Sequence, residues 1–181
     1  MSIYSTPLSG TYAADPVHSN FGFAIKFMGS STFKGTLDKV TAKLDAAPHG
    51  VTLTGAAEIQ SISIRTPEQF RAHVLSDEFF AAEAYPQIMF TSDDVSLGVD
   101  GTATIEGKLT IKDTTQPVTA HGTWGPTTTD PLGKTRAHLA LEATINRRDY
   151  GINWNAPLPN GGSVLADDVV ITVELPLVAT E

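Results

Sequence analysis

The chain contains no cysteine. That excludes a disulfide scaffold, a thiolate metal site and a thiol nucleophile. No apolar run is long enough to cross a bilayer as a helix. Positive charge is scarce: 12 Lys and Arg stand against 20 Asp and Glu, a formal charge of -8. Nucleic acid needs a basic footprint, so the balance argues against that partner. The N-terminal stretch Met1-Ser2-Ile3-Tyr4-Ser5-Thr6-Pro7 lacks a basic region followed by an apolar one, and the expected location is cytoplasmic. Also absent are a Gly-x-Ser-x-Gly elbow, a phosphate-binding loop, a dinucleotide fingerprint and a His-Glu-x-x-His helix. The histidines are His18, His49, His73, His121 and His138, and no two have helical ligand spacing. No metal site and no catalytic residue are expected from these patterns. Ser19 adjoins His18, but neighbouring strand residues point to opposite faces, so no triad follows.

What is present reads as strands. At 181 residues, 41% hydrophobic and 18% charged, the chain is expected to form one globular domain over residues 1–181. Period-2 alternation rich in Thr, Val and Ile runs near 20–29, 33–46, 51–60, 87–98, 102–111, 117–125, 136–145 and 167–177. Pro48-His49-Gly50, Gly98-Val99-Asp100-Gly101 and Asp130-Pro131-Leu132-Gly133 supply turns between them. Eight long strands with short connections predict an all-β fold, an eight-stranded antiparallel up-and-down barrel or a closed sandwich. One segment departs from the pattern. Thr66-Pro67-Glu68-Gln69-Phe70-Arg71-Ala72-His73-Val74-Leu75 predicts a short helix near 67–75, with Thr66 as N-cap and Phe70, Val74 and Leu75 facing inward. Such a helix plugs or lids one end of a barrel.

The most informative stretch runs from Asp15 to Gly29. Phe21, Phe23, Ile25 and Phe27 fall two apart and share one strand face, an aromatic wall. It is either plain core or the lining of a ligand cavity, because a barrel of eight strands can be filled by side chains or hold one small molecule. A second distinctive stretch is Ile145-Asn146-Arg147-Arg148-Asp149-Tyr150-Gly151-Ile152-Asn153-Trp154. One reading is a strand-end turn with an Arg–Asp pair and aromatic caps. The other is a head-group site in which an arginine fork receives a phosphate or a polarised oxygen.

With these residues assembled, the chain resembles the YceI-like family of bacterial lipid-binding proteins. The resemblance runs in order along nearly the whole chain. It begins with Asp15-Pro16-x-His18-Ser19, the Phe-rich strand and Met28-Gly29. Gly35, Ser61-Ile62-x-x-x-Thr66 and His73-Val74-Leu75-Ser76-x-x-Phe79-Phe80 follow. Then come Tyr85-Pro86-x-Ile88-x-Phe90-x-Ser92, Gly107-x-Leu109-Thr110-Ile111-Lys112 and Thr115-x-Pro117-Val118. Arg147-x-Asp149-Tyr150-Gly151 and Asp167-x-Val169-x-Ile171 complete it. The resemblance implies a lipocalin-like barrel holding a polyisoprenoid or isoprenoid quinone, frequently as a homodimer, without catalytic residues. Three positions depart from the family pattern: Phe27 replaces a usual His, Phe70-Arg71 a usual Arg-Asp, and Ala81 a usual Asp.

The expected function is non-catalytic binding, transport or storage of an isoprenoid lipid or quinone. The expected lining is Phe21, Phe23, Ile25, Phe27, Phe33, Phe79, Phe80, Phe90 and Trp154, with His73, Arg147, Arg148 and Asp149 at the polar end. No cofactor is expected beyond that bound lipid. Two alternatives stay open: an enzyme acting on an apolar or prenylated substrate through His73 or Asp149, and an interaction barrel with a filled core.

Overall fold

Ten strands form in the computed structural model, which describes residues 3–180. In chain order they are β1 (Gly10–Ala14), β2 (Asn20–Phe27), β3 (Ser31–Leu37), β4 (Val40–Ala47) and β5 (Gly50–Glu58). After helix α1 (Glu68–Leu75) come β6 (Gln87–Leu97), β7 (Thr102–Ile111), β8 (Thr114–Thr129), β9 (Thr135–Asn146) and β10 (Leu165–Thr180). Every pairing is antiparallel. The ladder runs β1-β4-β5-β6-β7-β8-β9-β10, and β1 pairs again with β10. That closes an eight-stranded barrel. The β2–β3 hairpin extends the wall on one side, because β10 pairs with β2 through its first residues and with β1 through its last. Two of the eight staves are therefore composite: β1 with β2, and β3 with β4.

The segment expected as one strand over 33–46 breaks at Asp38-Lys39. There the backbone turns to bond the 59–63 segment: Asp38 N–H donates to the Ser61 carbonyl, and Lys39 N–H to Ser61 Oγ. β1 is a strand that alternation does not reveal. Gly-Thr-Tyr-Ala-Ala has one large apolar side chain, and only pairing with β4 and β10 makes it a stave.

The break between β1 and β2 is built by Asp15. Its Oδ1 accepts the N–H groups of Val17 and His18, at 2.9 and 3.3 Å. Its Oδ2 meets His18 Nδ1 at 2.9 Å and accepts from Arg136 Nη1 at 3.0 Å. Asp15 N–H donates to the Pro176 carbonyl. Pro176 has no N–H of its own, and it faces the one place in the β10 ladder where the neighbouring stave is interrupted. Pro117 is accommodated similarly. It pairs with Lys108 of β7, while β9 joins β8 only from His121 onward.

The barrel has two unlike ends. Tyr12, Leu44, Ile105, Trp124, Leu139 and Leu177 are buried towards the β4–β5, β6–β7 and β8–β9 hairpins. Trp124 Nε1 donates to the Gly98 carbonyl at 2.8 Å, and Tyr4 packs edge-on against its ring at 5.3 Å. This end is filled. The other end carries the β2–β3 hairpin, α1, the β7–β8 turn and the 147–164 loop.

Helix α1 differs from expectation at its start. Pro67 is its N-cap, and no side chain caps it, so Thr66 does not play that part. The helix is held instead by Arg71. Its Nη1 donates to the carbonyls of Ile62 and Ile64, and its Nη2 to that of Gln60. Val74 is its buried residue, and Phe70 is 41% exposed.

Candidate ligand cavity

The open end of the barrel encloses a cavity of about 420 Å³. Alternation in β2 places Phe21, Phe23, Ile25 and Phe27 on its wall together. Phe33 of β3 joins them across the hairpin, opposite Ile25. α1 and the turn after it supply Phe70, His73, Val74, Phe79 and Phe80. Ile111, Ile145, Ile152, Trp154, Val164, Leu165, Val169 and Ile171 close the remaining sides. Phe70 lines the cavity and also meets solvent, so it marks the mouth.

A glycine makes room for part of this wall. The Phe23 ring lies over Gly35, its cross-strand partner, and a Cβ there would stand 2.5 Å from Phe23 Cζ. The rings of Phe23, Phe33 and Phe70 then follow one another at centroid distances of 6.2 and 5.8 Å. A second aromatic group surrounds His73. Its ring stands edge-on to Phe79 at 5.0 Å and to Trp154 at 5.1 Å. Its Nε2 lies 3.5 Å from Glu78 Oε2.

Arg147 lines the cavity but is 3% exposed, and the donors on its Nε and Nη1 are spent on the chain. Nε donates to the Ala166 carbonyl at 2.8 Å. Nη1 donates to the carbonyls of Ile152 and Trp154 at 2.9 and 2.8 Å. Nη2 is buried without a hydrogen-bond partner, 3.8 Å from Asp167 Oδ1. Burial, and then the neighbouring Arg148 charge, lower the Arg147 pKa. Arg147 therefore staples the 147–164 loop to the start of β10, where the β2 ladder shifts register between Leu165 and Val169.

Three expected site residues lie elsewhere. Phe90 lines a separate, smaller space deeper in the barrel. Arg148 is outside, its Nε donating to Asp167 Oδ1 at 2.7 Å, which together with the guanidinium charge lowers the Asp167 pKa. Asp149 is exposed, and its backbone carbonyl accepts from Gln116 Nε2. The strand-end reading of this stretch fits better than the head-group reading, but with Asp167 as the acid. The lining also includes residues outside the expected set, among them Phe70, Val74, Ile88, Ile111, Ile145, Ile152 and Ile171. Of these, Phe70 and Val74 carry a sequence signal, since both fall on the inward stripe that the helical spacing predicts.

Asp15 and His18 form a carboxylate–imidazole pair beside Ser19, yet the Ser19 hydroxyl is buried without a hydrogen-bond partner. Nothing in this arrangement activates a nucleophile.

Comparison with known proteins agrees with this geometry. The model of the YceI-like domain matches residues 12–177. A UPF0312 protein of Staphylococcus aureus is 31% identical over 161 residues, covering 87% of this chain and 91% of the relative. Another, from Staphylococcus epidermidis, is 32% identical over 158 residues, covering 86% and 90%. Among solved structures, the YceI protein of Campylobacter jejuni has a TM-score of 0.69 at 23% identity, over 87% of this chain and 91% of its own. Burkholderia cenocepacia BcnA has a TM-score of 0.69 at 21% identity, over 92% and 99%. A polyisoprenoid-binding domain from Saccharophagus degradans has a TM-score of 0.67 at 14% identity, over 93% and 98%. These structures share the barrel fold, and the sequence match carries the relationship further: the chain belongs to the YceI-like family.

Proposed function

We propose that this protein binds an isoprenoid lipid, a prenyl chain or an isoprenoid quinone, in the open end of its barrel, and carries or stores it without chemical change. The observation that carries the reading is the cavity of about 420 Å³ itself, walled by aromatic and branched aliphatic side chains. Its size lies within the range of about 300–1,000 Å³ usual for small-ligand sites. The name of the Saccharophagus degradans neighbour supports the ligand class, and family membership supports a binding role.

The energetics favour a long apolar ligand. Each Å² of apolar surface taken from water contributes roughly 25 cal/mol. Ordering the chain and losing its translational freedom offset part of that gain. The polar chemistry of the wall narrows the head group. Among the described lining residues, only His73, Arg147 and the Trp154 indole carry side-chain polar atoms. The Arg147 donors are largely committed to carbonyls. The site therefore suits a neutral head, such as a hydroxyl or a quinone carbonyl placed near His73, better than an anionic one.

Native mass spectrometry of freshly purified protein, followed by organic extraction, tests this. A co-purifying species with isoprene mass spacing is expected. A folded protein that carries none, and takes up no added prenol or quinone, would overturn the reading.

A further inference from the structure

The cavity stops partway down the barrel, and the residues that stop it are identifiable. Phe21, Ile88 and Ile171 line both the main cavity and the smaller space of about 100 Å³ beneath it. That lower space exists because Ala42, Gly55 and Ala57 leave the wall uncovered. The two spaces share one wall, made of three side chains from β2, β6 and β10. Phe21 is the largest of the three, and it is also the first of the four lining residues of β2.

We propose that Phe21, seated with Ile88 and Ile171, is the floor that limits the length of prenyl chain this protein holds, to about four isoprene units. The length follows from the wall. Phe21 to Phe27 spans about 20 Å at the rise of a strand. An extended chain advances about 1.2 Å per bond, so a four-bond isoprene unit takes about 5 Å. Longer chains meet the Phe21 ring and leave their remainder outside the mouth at Phe70. The floor is a single aromatic layer with space behind it, so a smaller side chain deepens the cavity instead of exposing solid core.

This inference rests on the lipid reading, and one experiment separates the two. Delipidated protein is incubated with an equimolar mixture of free prenols of stepwise length, and native mass spectrometry reads which are retained. In the parent, each unit up to the floor should raise retention about tenfold or more, and units beyond it should add nothing. Phe21→Ala and, from the facing strand, Ile88→Ala should each move the favoured length out by one unit. Phe21→Leu should give an intermediate distribution, and it serves if either alanine variant fails to fold. A folded Phe21→Ala protein with the parent's distribution overturns the floor while leaving lipid binding intact. So does a parent whose retention keeps rising to the longest prenol. Retention of no prenol by the folded parent overturns the lipid reading and the floor with it.

Discussion

At the scale of single residues, the wall of the cavity depends on glycine as much as on phenylalanine. Gly35 carries no side chain because the Phe23 ring occupies that space, 2.5 Å from where a Cβ would sit. Gly35→Ala must push the ring aside, and with β3 beneath it the available direction is into the cavity. The expected cost is about 1–3 kcal/mol of stability, with a larger proportional loss of lipid affinity because the lumen narrows. Chemical denaturation and lipid titration of the same sample check it; unchanged affinity in a destabilised protein would show that the ring moves elsewhere. The Phe face was legible beforehand because a period of two needs no tertiary knowledge. The role of Arg147 was not. Its partners are carbonyls of Ile152, Trp154 and Ala166, and main-chain acceptors leave no trace in side-chain pattern. The same blindness placed Arg148 and Asp149 at the ligand, when an acid further on, Asp167, takes the exposed arginine.

At the scale of elements, the informative feature is the interruption between β1 and β2. Asp15-Pro16-x-His18-Ser19 precedes the aromatic strand in sequence, and it is the joint that lets two short strands share β10. Bonds from the His18 ring, then the Arg136 guanidinium, then the Val17 N–H hold the Asp15 carboxyl far below the ordinary carboxylate range. Arg136 also donates to Asp130 at 2.6 Å and depresses its pKa. A carboxyl with a depressed pKa in the folded state stabilises fully above its unfolded value, about pH 4. That contribution is lost as pH falls from there through the folded pKa. The melting temperature of the parent should therefore fall below about pH 4. Asp15→Asn should melt lower at neutral pH and show a shallower acid limb. Circular dichroism melts across a pH series decide it, and parallel limbs would remove Asp15 as the cause. β1 itself escaped sequence reading because five residues with one large apolar side chain offer too little alternation, and its pairing with β10 joins the two ends of the chain. For the same reason, periodicity showed the strand type and most of the staves but neither β1 nor the break between β3 and β4, and it left barrel and sandwich both open, while the family resemblance pointed to the barrel.

At the scale of the whole molecule, the barrel is half core and half container, and the two halves should respond to truncation differently. Leu139 lies in the filled end at 1% exposure, surrounded by Trp124, Leu141 and Leu175 on its own and adjoining strands. Removing its side chain leaves a new void in close-packed surroundings, at a cost of about 3–5 kcal/mol. Phe79 lines a space that already exists, so Phe79→Ala enlarges a cavity instead of creating one. Its cost should be that of lost partial burial, about 1–2 kcal/mol. Urea denaturation of lipid-free protein compares the two directly. Equal losses would mean that the open end is packed as tightly as the closed one, and a container could not be distinguished from a core. Added lipid supplies the second half of the test. A ligand that binds only the folded state raises its stability with concentration, so the parent should gain with lipid. Leu139→Ala should gain as much as the parent, since its site is distant from the cavity. Phe79→Ala, having lost part of the wall, should gain less. A stable filled end is what allows the other end to remain hollow: the closed half holds the staves in register, so the open half need not be filled by side chains.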